Sequence, residues 1–189
     1  MTVEIEKRRV YAIVDFDALD QNVQAMEEKL PQDVGMMAVI KTNAYGHGAK
    51  AIAKHLEDND RISGYAVATA EEALELRKAG IGKMILILGY VFEKDYEDLI
   101  LQDIRFGIYR KDVAQALDAA AEKCHKKALI HIKIDTGMHR IGYPVCQESV
   151  EEIKEIAGLK HLCLEGIFTH FARADEADKT YARAQLLRF

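Results

Sequence analysis

The chain has few of the features that would tie it to a membrane, an oxidising compartment or a nucleic acid. Its 189 residues contain only three cysteines, Cys124, Cys146 and Cys163. They are odd in number, scattered and without metal-ligand spacing, which argues against a disulfide framework and suits a reducing compartment. The longest apolar run, Met84 to Phe92, is too short to cross a bilayer as a helix. The first residues lack the apolar stretch and cleavage site of a secretory signal. No Lys/Arg block forms a basic patch and the formal net charge is -5, which argues against a nucleic-acid partner. The Gly-rich dinucleotide fingerprint is missing too. A soluble cytoplasmic protein is the expectation.

What is present is enough apolar material for a core, 49% of the residues, arranged as alternating strand-like and helix-like segments. Val10 to Phe16 reads as a first strand outside the repeat. Asp17 opens a helix with Leu19, Val23, Met26 and Leu30 on one face, and Pro31 follows it. Met36 to Ile40 reads as a buried strand ending on Lys41. A helix then turns Ile52, Ala53 and Leu56 to the core. Ser63 to Ala68 is a strand, and Thr69 with Glu72 forms a capping box for a helix that Gly80 ends. Met84 to Leu88, Ile104 to Tyr109, Leu129 to Asp135 and Leu162 to His170 continue the strands. Helices over about 93–101, 112–124 and 147–156 lie between them.

This repetition argues a parallel sheet wrapped by helices. An open doubly wound sheet, a compact six-stranded α/β domain and a (β/α)8 barrel all fit the pattern. The favoured class is α/β, a TIM-type barrel with about six of its eight strand–helix units present. A full barrel takes roughly 250 residues, and the chain stops at Phe189 inside a helical pattern. A truncated barrel is therefore expected, with two unpaired sheet edges.

Several residues could carry chemistry. A lysine at the mouth of a buried strand is desolvated, which favours a neutral, nucleophilic amine suited to carbonyl chemistry. Gly46 and Gly48 let the chain turn into a helix whose first N–H groups could face an anion. In Leu129–Asp135, alternation puts three isoleucines on one face and His131, Lys133 and Asp135 on the other. A polar inner face suggests a site, although an ordinary half-exposed strand reads the same way. Arg140 offers a fork of donors for a carboxylate, a phosphate or a phenolate. Alone it would be a surface salt bridge, and His170 alone a structural histidine. Tyr45 could equally be a capping aromatic with a wet hydroxyl. Yet Lys41, Lys133, Arg140 and His170 all fall near the C-terminal ends of strands, where barrel active sites sit.

Three segments together resemble bacterial alanine racemase, a pyridoxal-phosphate enzyme whose first domain is a (β/α)8 barrel. They are Val39–Gly48 (Val-Ile-Lys-Thr-Asn-Ala-Tyr-Gly-His-Gly), Asp135–Tyr143 (Asp-Thr-Gly-Met-His-Arg-Ile-Gly-Tyr) and Thr169–Asp175 (Thr-His-Phe-Ala-Arg-Ala-Asp). The resemblance begins at Tyr11 and covers nearly the whole chain. It implies one partial cofactor-binding barrel domain over residues 1–189, without the family's C-terminal β domain. By the same resemblance Lys41 holds pyridoxal 5'-phosphate covalently and is one of two catalytic bases. Tyr45 is similar to the tyrosine that hydrogen-bonds the cofactor phosphate. Arg140 resembles the arginine near the phenolic oxygen and the substrate carboxylate. His170 resembles the histidine that supports a pyridine-nitrogen arginine. Lys133 matches a lysine often carbamylated in the family, which would turn a cation into an anion that orients Arg140. His139 stands where the family more usually has glycine.

The implied activity is interconversion of L- and D-alanine by two bases, supplying D-alanine for peptidoglycan, in a full-length homodimer. The opposing base is a tyrosine of the partner subunit's second domain, and nothing here matches it. A fragment of this kind would bind cofactor weakly and racemise poorly. Three alternatives stay open: a racemase of serine or another small amino acid, a single-barrel pyridoxal-phosphate-binding regulatory protein, and a non-enzymatic α/β scaffold.

Overall fold

A computed structural model describes residues 10–189. Helix α1 (Phe16–Glu27) precedes strand β1 (Met36–Val39), the short turn α2 (Lys41–Tyr45) and α3 (Ala49–Leu56). Then follow β2 (Ile62–Val67), α4 (Ala70–Lys78), β3 (Met84–Ile87), α5 (Tyr96–Leu101), β4 (Arg105–Ile108) and α6 (Lys111–Lys123). The chain continues through β5 (Ala128–Asp135), the two-residue β6 (Tyr143–Pro144), α7 (Gln147–Ala157), β7 (Leu162–Phe168) and α8 (Thr180–Arg188). No described helix is long and apolar enough to cross a membrane.

The parallel strands are hydrogen-bonded in chain order, β1-β2-β3-β4-β5, with β7 on the far side of β5 and β6 bonded to the end of β5. A doubly wound sheet reverses strand order at a switch point. This one never does, so every crossover runs the same way and the helices share one face. The sheet curls into a half-barrel of the (β/α) type. Its outer face and the helices form the core: Tyr65, Ile85, Ile87, Phe106, Ile130 and Ile132 pack with Ala53, Leu76, Leu99, Leu117 and Ala121. Buried Tyr65 donates its hydroxyl to the Ala53 carbonyl at 2.7 Å, pinning α3 to β2.

Three expectations need correction. Val10–Phe16 forms no strand. Among the described residues nothing pairs with it, Val10, Tyr11 and Ile13 are exposed, and α1 begins at Phe16. The cap of that helix is Asp15, whose carboxylate accepts the Ala18 N–H at 3.1 Å, two residues before the expected opening at Asp17. The strand into Lys41 is half-buried rather than buried, with Val39 44% exposed, because β1 is an edge that among the described residues bonds only to β2. On the opposite edge Leu164 and Ile167 of β7 are exposed for the same reason.

Candidate functional site

The concave face follows from alternation and register. His131 and Lys133 pair with Gly166 and Phe168, and Gly107 pairs with His131. The expected split of β5 is observed: Ile130, Ile132 and Ile134 are buried among the helices, while His131 and Lys133 turn inward. Gly107 leaves room that Phe168 fills; a Cβ on Gly107 would meet that ring at 3.4 Å. Deeper in the bowl, Arg105 of β4 and Glu165 of β7 pair across β5 at 2.9 Å. His131 Nε2 lies 3.7 Å from Glu165, too far for a hydrogen bond, and burial lowers the imidazole pKa.

Lys133 is 4% exposed. Its Nζ donates to the Ile134 carbonyl at 3.2 Å and sits 5.2 Å from the centre of the Phe168 ring. No carboxylate lies within ion-pair distance among the described residues. Burial pulls this amine below the usual lysine range; nearby Asp135 offsets part of the shift and Arg140 adds to it. A neutral amine is the form that attacks carbon dioxide, which suits the carbamylation that the family resemblance implies. Asp135 is itself pushed up by burial, but the N–H groups of His139 (2.9 Å) and Gly137 (3.0 Å) and the His139 ring outweigh that and lower its pKa.

A buried, unpaired lysine is a stability cost, and Lys133→Met, similar in volume, removes it. Its unfolding free energy at neutral pH is expected to rise by about 1 to 3 kcal/mol, read from urea denaturation. The sign with pH is fixed. Between the lowered native pKa and the ordinary value near about 10.4 the unfolded chain binds more protons, so wild-type stability rises with pH across that window. The gap between variant and wild type should close as pH rises through it. A gap independent of pH would assign the gain to packing.

The mouth lies at the C-terminal ends of the strands. Lys41 opens the turn after β1, Lys133 and Arg140 come from β5 and its loop, and His170 follows β7. Burial lowers the His170 pKa first, followed by the charges of Arg140, Lys133 and Lys41. The curl therefore brings both ends of the sheet to one cationic mouth. Tyr45 is not drawn in: it stands 60% exposed at the end of its turn, with no hydroxyl partner among the described residues.

The turn Lys41–Tyr45 is left-handed. Thr42, Asn43, Ala44 and Tyr45 have φ between 51° and 56°, a region L-residues avoid. Gly46 and Gly48 (φ 89° and 92°) complete the reversal into α3. Asn43 Oδ1 accepts the Ala49 N–H at 2.9 Å, so a side chain takes one donor at that helix start that was expected to face an anion.

Sequence reasoning missed two partners of the site. Glu72 does not close the capping box: Thr69 Oγ1 accepts the Glu72 N–H at 3.3 Å, but the Glu72 carboxylate turns to Thr42 and Ala68 instead. Its pattern was visible and its destination was not. Gln185 of α8 is fully buried. It accepts the Ala172 N–H at 2.8 Å and donates to Thr136 Oγ1 and the His170 carbonyl, both at 3.1 Å. With the Thr136–Thr169 hydroxyl pair at 2.8 Å, it ties the Arg140 loop to the His170 strand end. A glutamine in an amphipathic helix carries no signal of this.

Comparison with known proteins agrees with this architecture. Residues 14–189 match the family model for the alanine racemase N-terminal domain. An alanine racemase of Methanococcus maripaludis is 42% identical over 182 residues, 95% of this chain and 48% of that protein. Alanine racemase 2 of Caldanaerobacter subterraneus is 44% identical over 98% of this chain and 47% of its own. The structure of alanine racemase from Clostridium difficile 630 superposes with a TM-score of 0.88 at 42% identity, covering 91% of this chain and 45% of that one. The chain belongs to the alanine racemase family. It spans about half the length of the curated relatives it matches.

Proposed function

We propose that this chain is the cofactor-bearing barrel of a pyridoxal-phosphate-dependent racemase that interconverts L- and D-alanine. The observation that carries the reading is the convergence of Lys41, Lys133, Arg140 and His170 on one mouth. The donor set suits the cofactor: an amine for its aldehyde, and cationic groups for its phosphate and phenolic oxygens. When bound, pyridoxal phosphate supplies an electron sink for the pair released at the substrate Cα.

Lys41 anchors the cofactor and, once free, exchanges a proton at the substrate Cα from one face. Arg140, with no ion-pair partner among the described residues, holds the substrate carboxylate and the phenolic oxygen through its fork of donors. Carbamylated Lys133 replaces a buried cation by an anion facing that guanidinium. Tyr45 would offer its hydroxyl to the phosphate, as the resemblance implies. His170 supports the group that faces the pyridine nitrogen. An opposing base, which the resemblance assigns to a tyrosine of a partner subunit's second domain, serves the other face. The active unit is then a homodimer, and its D-alanine feeds the cell wall.

Borohydride reduction in the presence of pyridoxal phosphate, followed by peptide mapping, tests the anchor. The label is expected on the peptide containing Lys41. A label spread evenly over exposed lysines such as Lys50 and Lys78 overturns the reading.

A further inference from the structure

We propose that Glu72 is a positioning residue for Lys41: its carboxylate locks the left-handed turn that aims the Lys41 amine into the mouth. The proposal rests on the role given to Lys41 above. Glu72 Oε1 accepts the Thr42 N–H at 2.6 Å, and Oε2 accepts the Ala68 N–H at 2.7 Å. One carboxylate therefore joins the end of β2 to the residue after Lys41. On the other side of Lys41, the Ile40 N–H donates to the Ala66 carbonyl at 2.9 Å, and Ile40 is buried. Both backbone neighbours of Lys41 are thus tied to the same strand end.

The far end of the turn is held by its own bonds. Ala44 N–H donates to Ile40 O at 2.8 Å, Gly46 N–H to Thr42 O at 3.1 Å and Gly48 N–H to Asn43 O at 2.9 Å. None of these fixes the Thr42 N–H, which belongs to the class of orphan donors at the start of a helical turn. Four successive residues at positive φ persist only where the surroundings over-determine them. Glu72 supplies that constraint next to the amine. It is itself fixed, because its own N–H is bound by Thr69.

Glu72→Gln keeps the shape but has one acceptor oxygen for two N–H donors, so one of the two meets an amide NH2 instead. The Thr69 cap is untouched, so α4 and the fold should survive. Reductive trapping of pyridoxal phosphate on Lys41 is expected to slow by about tenfold to a hundredfold, as for a misplaced reacting group. Hydrogen exchange at Thr42 or Ala68 should quicken while the amides inside α4 keep their protection. Competitive acetylation of Lys41 by acetic anhydride, with exposed Lys78 as internal reference, should change its pH profile. Glu75→Gln, which removes only the surface pair with Lys50, should behave as wild type. A folded Glu72→Gln chain with unaltered trapping, exchange and acetylation profile overturns the proposal.

In the unaltered chain, rapid exchange at both Thr42 and Ala68 also overturns it, with no variant needed. The two readings separate: if wild-type Lys41 is never trapped, the cofactor assignment fails, and exchange with acetylation still decides the role of Glu72.

Discussion

Lys41→Ala is expected to abolish covalent uptake of pyridoxal phosphate while leaving the fold intact. The two halves of that result have separate causes. Lys41 is half-exposed and makes no ion pair among the described residues, so its loss should move stability by no more than about 0.5 kcal/mol. The backbone around it is held by Ile40 and Thr42, not by the lysine side chain. Among the described residues the other amine in the mouth belongs to Lys133, which is buried with Nζ on the Ile134 carbonyl. Its burial, not a lack of nucleophilicity, keeps it from replacing Lys41. The measurement is mass spectrometry after borohydride reduction, alongside a urea melt. Wild-type extents of labelling at another lysine would remove Lys41 from its assigned role, and a large drop in the melt would give it a structural one.

Gly142→Ala acts in the opposite sense, on the fold first and the site as a result. Gly142 has φ 133°, and an added Cβ would lie 2.6 Å from the Asp135 backbone nitrogen and 2.8 Å from the Ile134 carbonyl carbon. Those atoms belong to a strand bonded on both sides and cannot withdraw. The loop must lift instead, which breaks the pairing of Tyr143 with Ile134. The expected loss is about 2 to 4 kcal/mol from strain and overpacking together. Arg140, two residues away, moves with the loop, so trapping of the cofactor should also weaken. A change below about 1 kcal/mol in urea unfolding would mean that the loop relaxes freely, and that Arg140 is not held by its anchorage.

Much of the fold could be read from the chain because each unit carries its own periodicity. Alternation in β5 separates Ile130, Ile132 and Ile134 from His131 and Lys133, and the structure keeps that division. Ile52, Ala53 and Leu56 face the core as the helical spacing predicts. Apart from the cap at Asp15, which is local, the failures share one cause: they depend on distant partners. Val10–Phe16 has the composition of a strand but, among the described residues, no neighbour to bond. The Thr42–Tyr45 turn contains no glycine, so nothing local announces positive φ. Glu72 carries the signature of a cap, yet its carboxylate is claimed by a residue thirty positions earlier. Gln185 finds its partners in two strand-end loops that only the curled sheet brings together.

The bond between Glu72 and Thr42 also orders events on the ribosome. A chain growing from its N-terminus exposes Lys41 well before residue 72 has been synthesised, and until then the turn lacks its lock. The amine that later needs a fixed direction emerges as an ordinary mobile lysine, and its geometry is set only when the next strand–helix unit docks. Competence at this position thus waits on the strand–helix unit that follows it, and cannot precede the synthesis of residue 72.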